Sequence, residues 1–309
     1  MPLVLAPVGL TGMFRRRGEV QAARAARTAG IPFTTSTVGI CPVEEVNAGC
    51  GVPAWFQLYM LRDRDIVLAM LERARQAGST TLVFTVDLAV TGKRFRDDRN
   101  AMLGGGLRGG LSKAIQLLSR PGWLWDVGLR GKPHDFGNLR EVVAGANDLE
   151  AFKDFLDAQF DPTVTWRDIG WLRARWPGQL LIKGVMCADD ARAALDAGAD
   201  GVVVSNHGGR QLEGVSSTVA RLPGIAEAVG AQGEVYMDGG IRSGVDVVKA
   251  VALGADGVLA GRPWVWALAA RGERGVADLL AVWRQEIEVT LALMGVRRIA
   301  ELDRSLIET

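Results

Sequence analysis

Eight times along this chain an apolar or β-branched run reads as a strand and is paired with a stretch of helical spacing. Residues 2–9, 32–37, 54–59, 80–87, 180–185, 201–206, 234–238 and 257–261 predict strands. Residues 19–29, 42–48, 64–77, 166–176, 188–197, 219–229 and 244–253, and a long Ala/Leu-rich stretch ending near 293, predict helices. Strict β–α alternation implies parallel strands joined by right-handed crossovers. Eight units imply a closed α/β (β/α)8 barrel, a TIM barrel, with residues 1–309 as one domain. The pentapeptide Gly-Ala-Asp-Gly-Val stands at 198–202 and again at 254–258, each time joining a helix end to a strand start, as a repeating βα unit would have it. An open doubly wound sheet is the alternative. Against it, the glycine-rich stretches come late in the chain rather than after the first strand.

Composition narrows the function. With 36 Lys and Arg against 35 Asp and Glu, the net charge is +1 and no basic arm is concentrated enough to suit nucleic acid. Three cysteines, Cys41, Cys50 and Cys187, form no CxxC, so neither disulfides nor a metal site is expected and a reducing cytoplasm is. The apolar start lacks a basic n-region and soon meets Arg15-Arg-Arg17, which does not suit a signal peptide. No apolar run approaches the roughly 18 residues a membrane-spanning helix needs.

In a barrel of this kind the chemistry gathers at the C-terminal strand ends. Those ends carry Ser36; Gln57 and Tyr59; Thr85 and Asp87, followed by Gly92-Lys-Arg94; Lys183; His207 and Arg210; Asp238-Gly-Gly-Ile-Arg242; and Gly261-Arg262. Any one of these has a structural reading. Hydrogen-bonding groups at seven strand ends do not follow from packing. The stretch Ser205-Asn-His-Gly-Gly-Arg-Gln-Leu-Glu-Gly214 places a titratable imidazole and a planar carboxylate-binding fork three residues apart, beside two glycines that permit close approach. The glycine turns after strands seven and eight, with Arg242 and Arg262, suit a phosphate at helix N-termini. Helix capping is the plainer reading of those glycines. Lys183, inside a buried strand, needs an anionic partner. It suits either a Schiff base or a cationic group facing an electron-rich cofactor ring. The phosphate site favours the second.

Several of these motifs together resemble one family. Trp55-Phe-Gln-Leu-Tyr59, Thr85-Val-Asp87, Ile182-Lys-Gly184, Ser205-Asn-His-Gly-Gly-Arg-Gln-Leu212, Asp238-Gly-Gly-Ile-Arg242 and Gly254-Ala-Asp-Gly-Val-Leu-Ala-Gly-Arg262 are similar to the FMN-dependent L-2-hydroxy acid oxidases and dehydrogenases. Leu5-Ala-Pro-Val-Gly-Leu10, Arg17-Gly-Glu-Val-Gln-Ala22, Cys41-Pro-Val-Glu-Glu-Val46 and Trp125-Asp-Val-Gly-Leu-Arg-Gly-Lys-Pro-His134 resemble its bacterial respiratory, lactate-oxidising branch.

The resemblance implies oxidation of an L-2-hydroxy acid, L-lactate to pyruvate, with FMN as cofactor, quinone as electron acceptor, and a homo-oligomer. An oxidase passing electrons to oxygen is the sibling reading. The flavin ring and ribityl chain are expected on Ser36, Gln57, Thr85 and Lys183, and the phosphate on Gly239, Gly240, Arg242, Gly261 and Arg262. Ala6, Pro7, Val8 and Asp238 are expected as further cofactor contacts. Lys183 is expected to stabilise negative charge on the reduced ring. The catalytic base is expected at His207, supported by Asp87, with Arg94 and Arg210 on the substrate carboxylate and Tyr59 on the substrate oxygen.

Family members carry an N-terminal segment that supplies a substrate-binding tyrosine, whereas this chain starts at the first strand and has only Tyr59 and Tyr236. An FMN-binding barrel with lost or altered turnover is therefore the non-catalytic alternative. Residues 88–160 interrupt the alternation. Within 101–140, six basic residues stand against two acidic ones beside Ile115, Leu117, Leu118, Trp123, Leu124 and Trp125. Such a segment is read either as an active-site lid or as a peripheral contact with the inner face of the cell membrane.

Overall fold

In a computed structural model, the structure describes residues 1–92, 115, 117–131, 135–140, 155 and 158–308. Eight strands form the centre: β1 (Leu3–Leu5), β2 (Thr34–Ser36), β3 (Trp55–Tyr59), β4 (Thr81–Thr85), β5 (Gln179–Val185), β6 (Gly201–Val204), β7 (Glu234–Asp238) and β8 (Gly257–Ala260). Around them lie α1 (Gly18–Ala29), α2 (Val43–Cys50), α3 (Arg64–Gln76), α4 (Trp166–Arg173), α5 (Ala188–Asp196), α6 (Thr218–Val229), α7 (Gly244–Ala252) and α8 (Arg262–Leu293). The sheet runs β1-β8-β7-β6-β5-β4-β3-β2, every neighbour parallel. A parallel bridge between Leu5 and Phe33, with the Leu5 amide donating to Pro32 O at 3.0 Å, brings the two edge strands together. The chain is a single (β/α)8 barrel, as its alternation predicts.

Strand pairing explains why apolar strands end in polar groups. Alternate residues face opposite sides, and the register fixes which face is inside: Val83 opposite Leu181, Thr85 opposite Lys183, Lys183 opposite Val203. The inner set is layered. Trp55 and Tyr236, 5.7 Å apart and edge to face, pack below Val4, Ala6, Val83, Leu181, Val203 and Leu259. Above them, one pleat further along each strand, come Ser36, Gln57, Thr85, Lys183 and Asp238, all buried. The outward residues Leu3, Leu5, Phe56, Leu58, Leu82, Phe84, Ile182 and Val204 pack into the main core with residues such as Met70, Leu172, Ile225, Trp264 and Leu268 from the helices.

Some elements end earlier than their sequence suggests. The first strand, expected over 2–9, stops at Leu5, since Pro7 has no amide to donate and Leu10 turns at φ 58°. The last helical stretch is two helices meeting at Arg271 and Gly272, where Gly272 takes φ 63°. In β5 the pairing shifts at Gly184, whose φ of 113° suits glycine and whose added Cβ would lie 2.7 Å from Asp87 Cβ.

The stretch after β4 divides into parts. A helical turn, Pro121–Trp123, runs into a π-type turn, Leu124–Leu129. It rests on the loop after β1: Trp123 Nε1 donates to Met13 O at 2.7 Å, and Asp126 lies 3.5 Å from both Arg15 and Arg16. Residues 135–140 are not peripheral, for Phe136, Asn138 and Leu139 are buried. At the far end Leu61 and Phe160 form an antiparallel bridge.

Candidate active site

Lys183 is the centre of the upper layer. Only 4% of it is exposed; Nζ lies 2.9 Å from Asp238 Oδ2 and donates to Ser205 Oγ at 2.7 Å. Burial disfavours its charge, but the nearby carboxylates of Asp238 and Asp87 outweigh burial and hold the lysine pKa above its ordinary value. An ammonium held in this way is a poor nucleophile, so the Schiff-base reading loses its support. From β2 to β4, the strand next to Lys183, a line of side chains is tied together. Ser36 Oγ donates to Gln57 Oε1 at 2.9 Å, and Gln57 Nε2 donates to Thr85 Oγ1 at 3.1 Å.

His207 sits at the end of β6 in the left-handed region, φ 57°, followed by Gly208 at 66° and Gly209 at 69°. The cost of this run falls on His207, since glycine takes the conformation freely. Here the His207 amide donates to Ser205 Oγ at 3.1 Å, and the Gly209 amide to Asn206 Oδ1 at 3.1 Å. The ring Nδ1 lies 2.8 Å from Asp87 Oδ1. Burial of Asp87 works against its charge, yet Lys183 and the bond to His207 prevail and keep its pKa below the usual carboxylate value. A carboxylate on Nδ1 fixes the tautomer with hydrogen there, leaving Nε2 as the basic nitrogen. Gln211 locks the two loops together: Nε2 donates to Asp87 O at 3.2 Å and Val90 O at 2.9 Å, and Oε1 accepts from the Gly92 amide at 3.3 Å.

Glycine-rich turns occupy the ends of β7 and β8. Gly239 and Gly240 have φ 82° and 83°, and nothing stands within 4 Å of a Cβ built on Gly240. Arg242 is exposed, its Nε donating to Gly240 O at 3.2 Å. Gly261 precedes α8 with no side chain capping that helix. Exposed Arg262 donates to Gly208 O, which brings the β8 arginine to the histidine loop. Ala6 and Val8 lie beside Gly261, about 3.9 and 4.0 Å from where its Cβ would be, with Pro7 between them.

Of the expected site residues, Tyr59, half-buried, stands edge-on to Phe160 at 5.4 Å, Arg210 is exposed on the histidine loop, and Arg94 lies outside the described residues, as does His134. Ser205, Asn206 and Gln211 lie within the histidine motif, and residue type alone assigns them no role. For Ser205 the signal was parity, since it lies two residues beyond inward-facing Val203.

The sequence profile of the FMN-dependent dehydrogenase family matches residues 1–309. The chain belongs to that family. It is 52% identical over 307 residues to an L-lactate dehydrogenase of Caulobacter sp. (strain K31), covering 99% of this chain and 80% of that one. It is 54% identical over 304 residues to an L-lactate dehydrogenase of Stenotrophomonas maltophilia (strain R551-3), with 98% and 80% covered. Its fold superposes with a TM-score of 0.92 on the monotopic membrane protein (S)-mandelate dehydrogenase, at 38% identity, covering 100% of this chain and 81% of the other. A mandelate oxidase of the same fold was solved with a C4a-OH-FMN adduct, at TM-score 0.80 and 38% identity.

FMN is thus the enzyme's cofactor, and the residues present fit it. Among the described residues Asp238 Oδ1 and Asp87 Oδ2 are buried without a hydrogen-bond partner. The uncapped start of α8 with Arg262, and the open space over Gly240, are where backbone amides and positive charge are free to meet an anion.

Proposed function

We propose that this enzyme oxidises L-lactate to pyruvate and passes the electrons to quinone, with His207 as the base. The observation that carries the reading is the 2.8 Å bond from His207 Nδ1 to Asp87, three residues from Arg210 and at the mouth of a barrel shaped for FMN. FMN, when bound, supplies the two-electron acceptor. Ser36, Gln57, Thr85 and Lys183, with the backbone of Ala6, Pro7 and Val8, hold its ring and ribityl chain. Gly239, Gly240, Arg242, Gly261 and Arg262 would hold its phosphate, with Asp238 a further cofactor contact beside Lys183. His207 Nε2 takes the substrate proton, and the Asp87 carboxylate stabilises the imidazolium that results. The Arg210 fork, with Arg94, binds the substrate carboxylate. Tyr59 hydrogen-bonds the substrate oxygen.

Lactate is favoured over larger acids by the names of the relatives at 52% and 54% identity. Quinone as acceptor fits a peripheral position on the inner face of the cell membrane. No helix among the described residues is long and apolar enough to cross a membrane. The segment around the π-type turn exposes 60% of Ile115, 73% of Leu118, 61% of Trp125 and 57% of Leu129, beside Arg120 and Arg130. Basic residues next to exposed tryptophan and leucine suit anionic lipid at an interface.

Anaerobic mixing of the FMN-loaded enzyme with glycolate, L-lactate, D-lactate and (S)-mandelate tests the reading. L-lactate is expected to bleach the flavin absorbance fastest. Faster bleaching by (S)-mandelate would reassign the substrate, and no bleaching by any acid would select the inactive-barrel alternative.

A further inference from the structure

Asn138 belongs to the stretch between β4 and β5, yet it is buried in the barrel wall beside the loop after β2. Its Nδ2 donates to Ser36 O at 2.9 Å, and its Oδ1 accepts from the Val43 amide, the first of α2, at 2.9 Å. One amide therefore bridges the end of β2 to the start of the following helix, across the loop 37–42. The contact is close-packed: the Gly137 amide donates to Gly39 O at 3.1 Å, and a Cβ on Gly137 would stand 2.4 Å from Pro42 N. Arg73 holds the stretch from behind, donating to Asn138 O at 3.0 Å while gripping Glu44 through Nε at 2.7 Å and Nη2 at 3.0 Å.

We infer that Asn138 is a positioning residue for FMN, setting Ser36 at the head of the Ser36–Gln57–Thr85 hydrogen-bond line. The inference rests on the reading that this line meets the flavin ring. A hydroxyl that donates to Gln57 at 2.9 Å has its direction set by its own backbone. That backbone is tied on its carbonyl side by Asn138. Without it Ser36 O keeps only the Gly39 amide, at 3.0 Å, from within the same loop, and a shift of tenths of an ångström is enough to misalign a hydrogen-bonded ligand site.

The two halves of the amide separate a positioning role from a merely structural one. Asn138→Asp keeps the acceptor for the Val43 amide and sets a negative charge at a helix N-terminus, where it is favourable. It loses the donor to Ser36 O. Asn138→Ala loses both. Apoprotein is prepared for wild type, both variants, Leu139→Ala and Ser36→Ala, and each is titrated with FMN by fluorescence while its melting temperature is recorded. Asn138→Asp, whose second carboxylate oxygen faces Ser36 O, is expected to melt below wild type but no lower than Leu139→Ala, and to bind FMN about tenfold more weakly, roughly the loss expected of one hydrogen bond. Leu139→Ala, which empties a buried position on the same stretch, is expected to melt lower and bind FMN within about threefold of wild type. In a Ser36→Ala background the effect of Asn138→Asp on FMN should largely vanish. If Ser36→Ala alone leaves affinity unchanged, the reading of Ser36 fails. If it weakens FMN but Asn138→Asp does not, or if affinity follows melting temperature across the series, Asn138 has no positioning role. Should Asn138→Asp not fold, Asn138→Ala against Leu139→Ala decides the same point.

Discussion

His207 combines a strained backbone with a proposed proton-transfer task, and the two are linked through Ser205. One hydroxyl receives both Lys183 Nζ and the His207 amide. The imidazole is thus held relative to the lysine at the cofactor site. His207→Gln should keep FMN, whose proposed ring and phosphate contacts lie elsewhere, and should slow anaerobic flavin reduction at saturating L-lactate by roughly 10²–10⁴-fold, the usual cost of a lost general base. Stopped-flow bleaching within about threefold of wild type would remove His207 from the mechanism, being far short of that range. Arg210→Lys keeps charge but loses the fork, so the lactate concentration for half-maximal bleaching should rise while the limiting rate falls less.

Glu19 is a second residue with a measurable signature. It is buried in α1, its Oε1 accepting from the Gly12 amide at 3.1 Å and the Ile40 amide at 2.9 Å, so it ties the loops after β1 and β2. Burial raises its pKa, and the hydrogen bonds it accepts, that from Cys41 among them, only partly offset this. The unfolded chain therefore ionises at lower pH than the folded one, and folding loses stability as pH rises from the ordinary carboxylate range through the raised value. Glu19→Gln keeps an acceptor but cannot ionise. Its urea-melting stability relative to wild type should therefore improve steadily across that window, and a difference independent of pH would refute the assignment. The motif glycines, His207 and Lys183 were legible from residue type and position at a strand end. Glu19 and Asn138 were not, because their partners are backbone amides and carbonyls, one of them 95 residues away, and backbone groups leave no sequence signal.

At the scale of elements, the stretch after β4 has two described parts with different attachments. Around 117–131 Leu118, Trp125 and Leu129 face outward, and the anchors include Trp123 on Met13 O and Asp126 near two arginines. At 135–140 the chain is core, with Leu139 fully buried. Replacing Leu118, Trp125 and Leu129 by serine should therefore reduce sedimentation with anionic vesicles several-fold and leave flavin reduction by lactate near wild type. Unchanged vesicle binding, or none by the parent enzyme, would end the membrane reading. A deletion carried through residue 140 should instead cost FMN as well, since it removes Asn138. Sequence showed the break in alternation but not this division. Phe136 and Leu139 have neither helical nor strand spacing, and the stretch is docked through Gly137 and Asn138 on the loop 37–42 and its two ends. The strands were legible because burial on both faces makes continuous apolar runs; their ends were not, since β1 loses pairing at Pro7 while its sequence stays apolar.

For the whole molecule, closure makes the proposed cofactor site a property of all eight strands. Each contributes one inward residue near its C-terminal end or the turn just beyond, from Ala6 on the first to Gly261 after the last, and no pair of neighbouring strands carries the set. Alternation in the sequence therefore told more than any motif: it fixed that these distant residues converge. Parity alone does not say which buried charges pair, and Lys183 has two carboxylate-bearing strand ends within reach, Asp87 and Asp238. Because the contacts are spread around the barrel, opening any part of it should release FMN, and FMN should stabilise the barrel as a unit. Binding to the folded state alone adds about 4.1 kcal/mol at a free FMN concentration 1,000 times Kd. With about 2.1 cal/mol/K of unfolding entropy per residue, a chain of 309 residues gains roughly 6 °C in melting temperature. Calorimetry of apoprotein against FMN titrated to that excess should show one transition moving upward by about that amount. If instead part of the heat absorption stays at the apoprotein temperature while the remainder moves, FMN is held by a sub-region and the distributed site is wrong. A shift in Lys183→Met as large as in wild type would separately show that the central cation adds nothing to cofactor binding. Loss of that cation leaves Asp238 and Asp87 buried without it, so the variant's apoprotein should itself be less stable by about 3–5 kcal/mol.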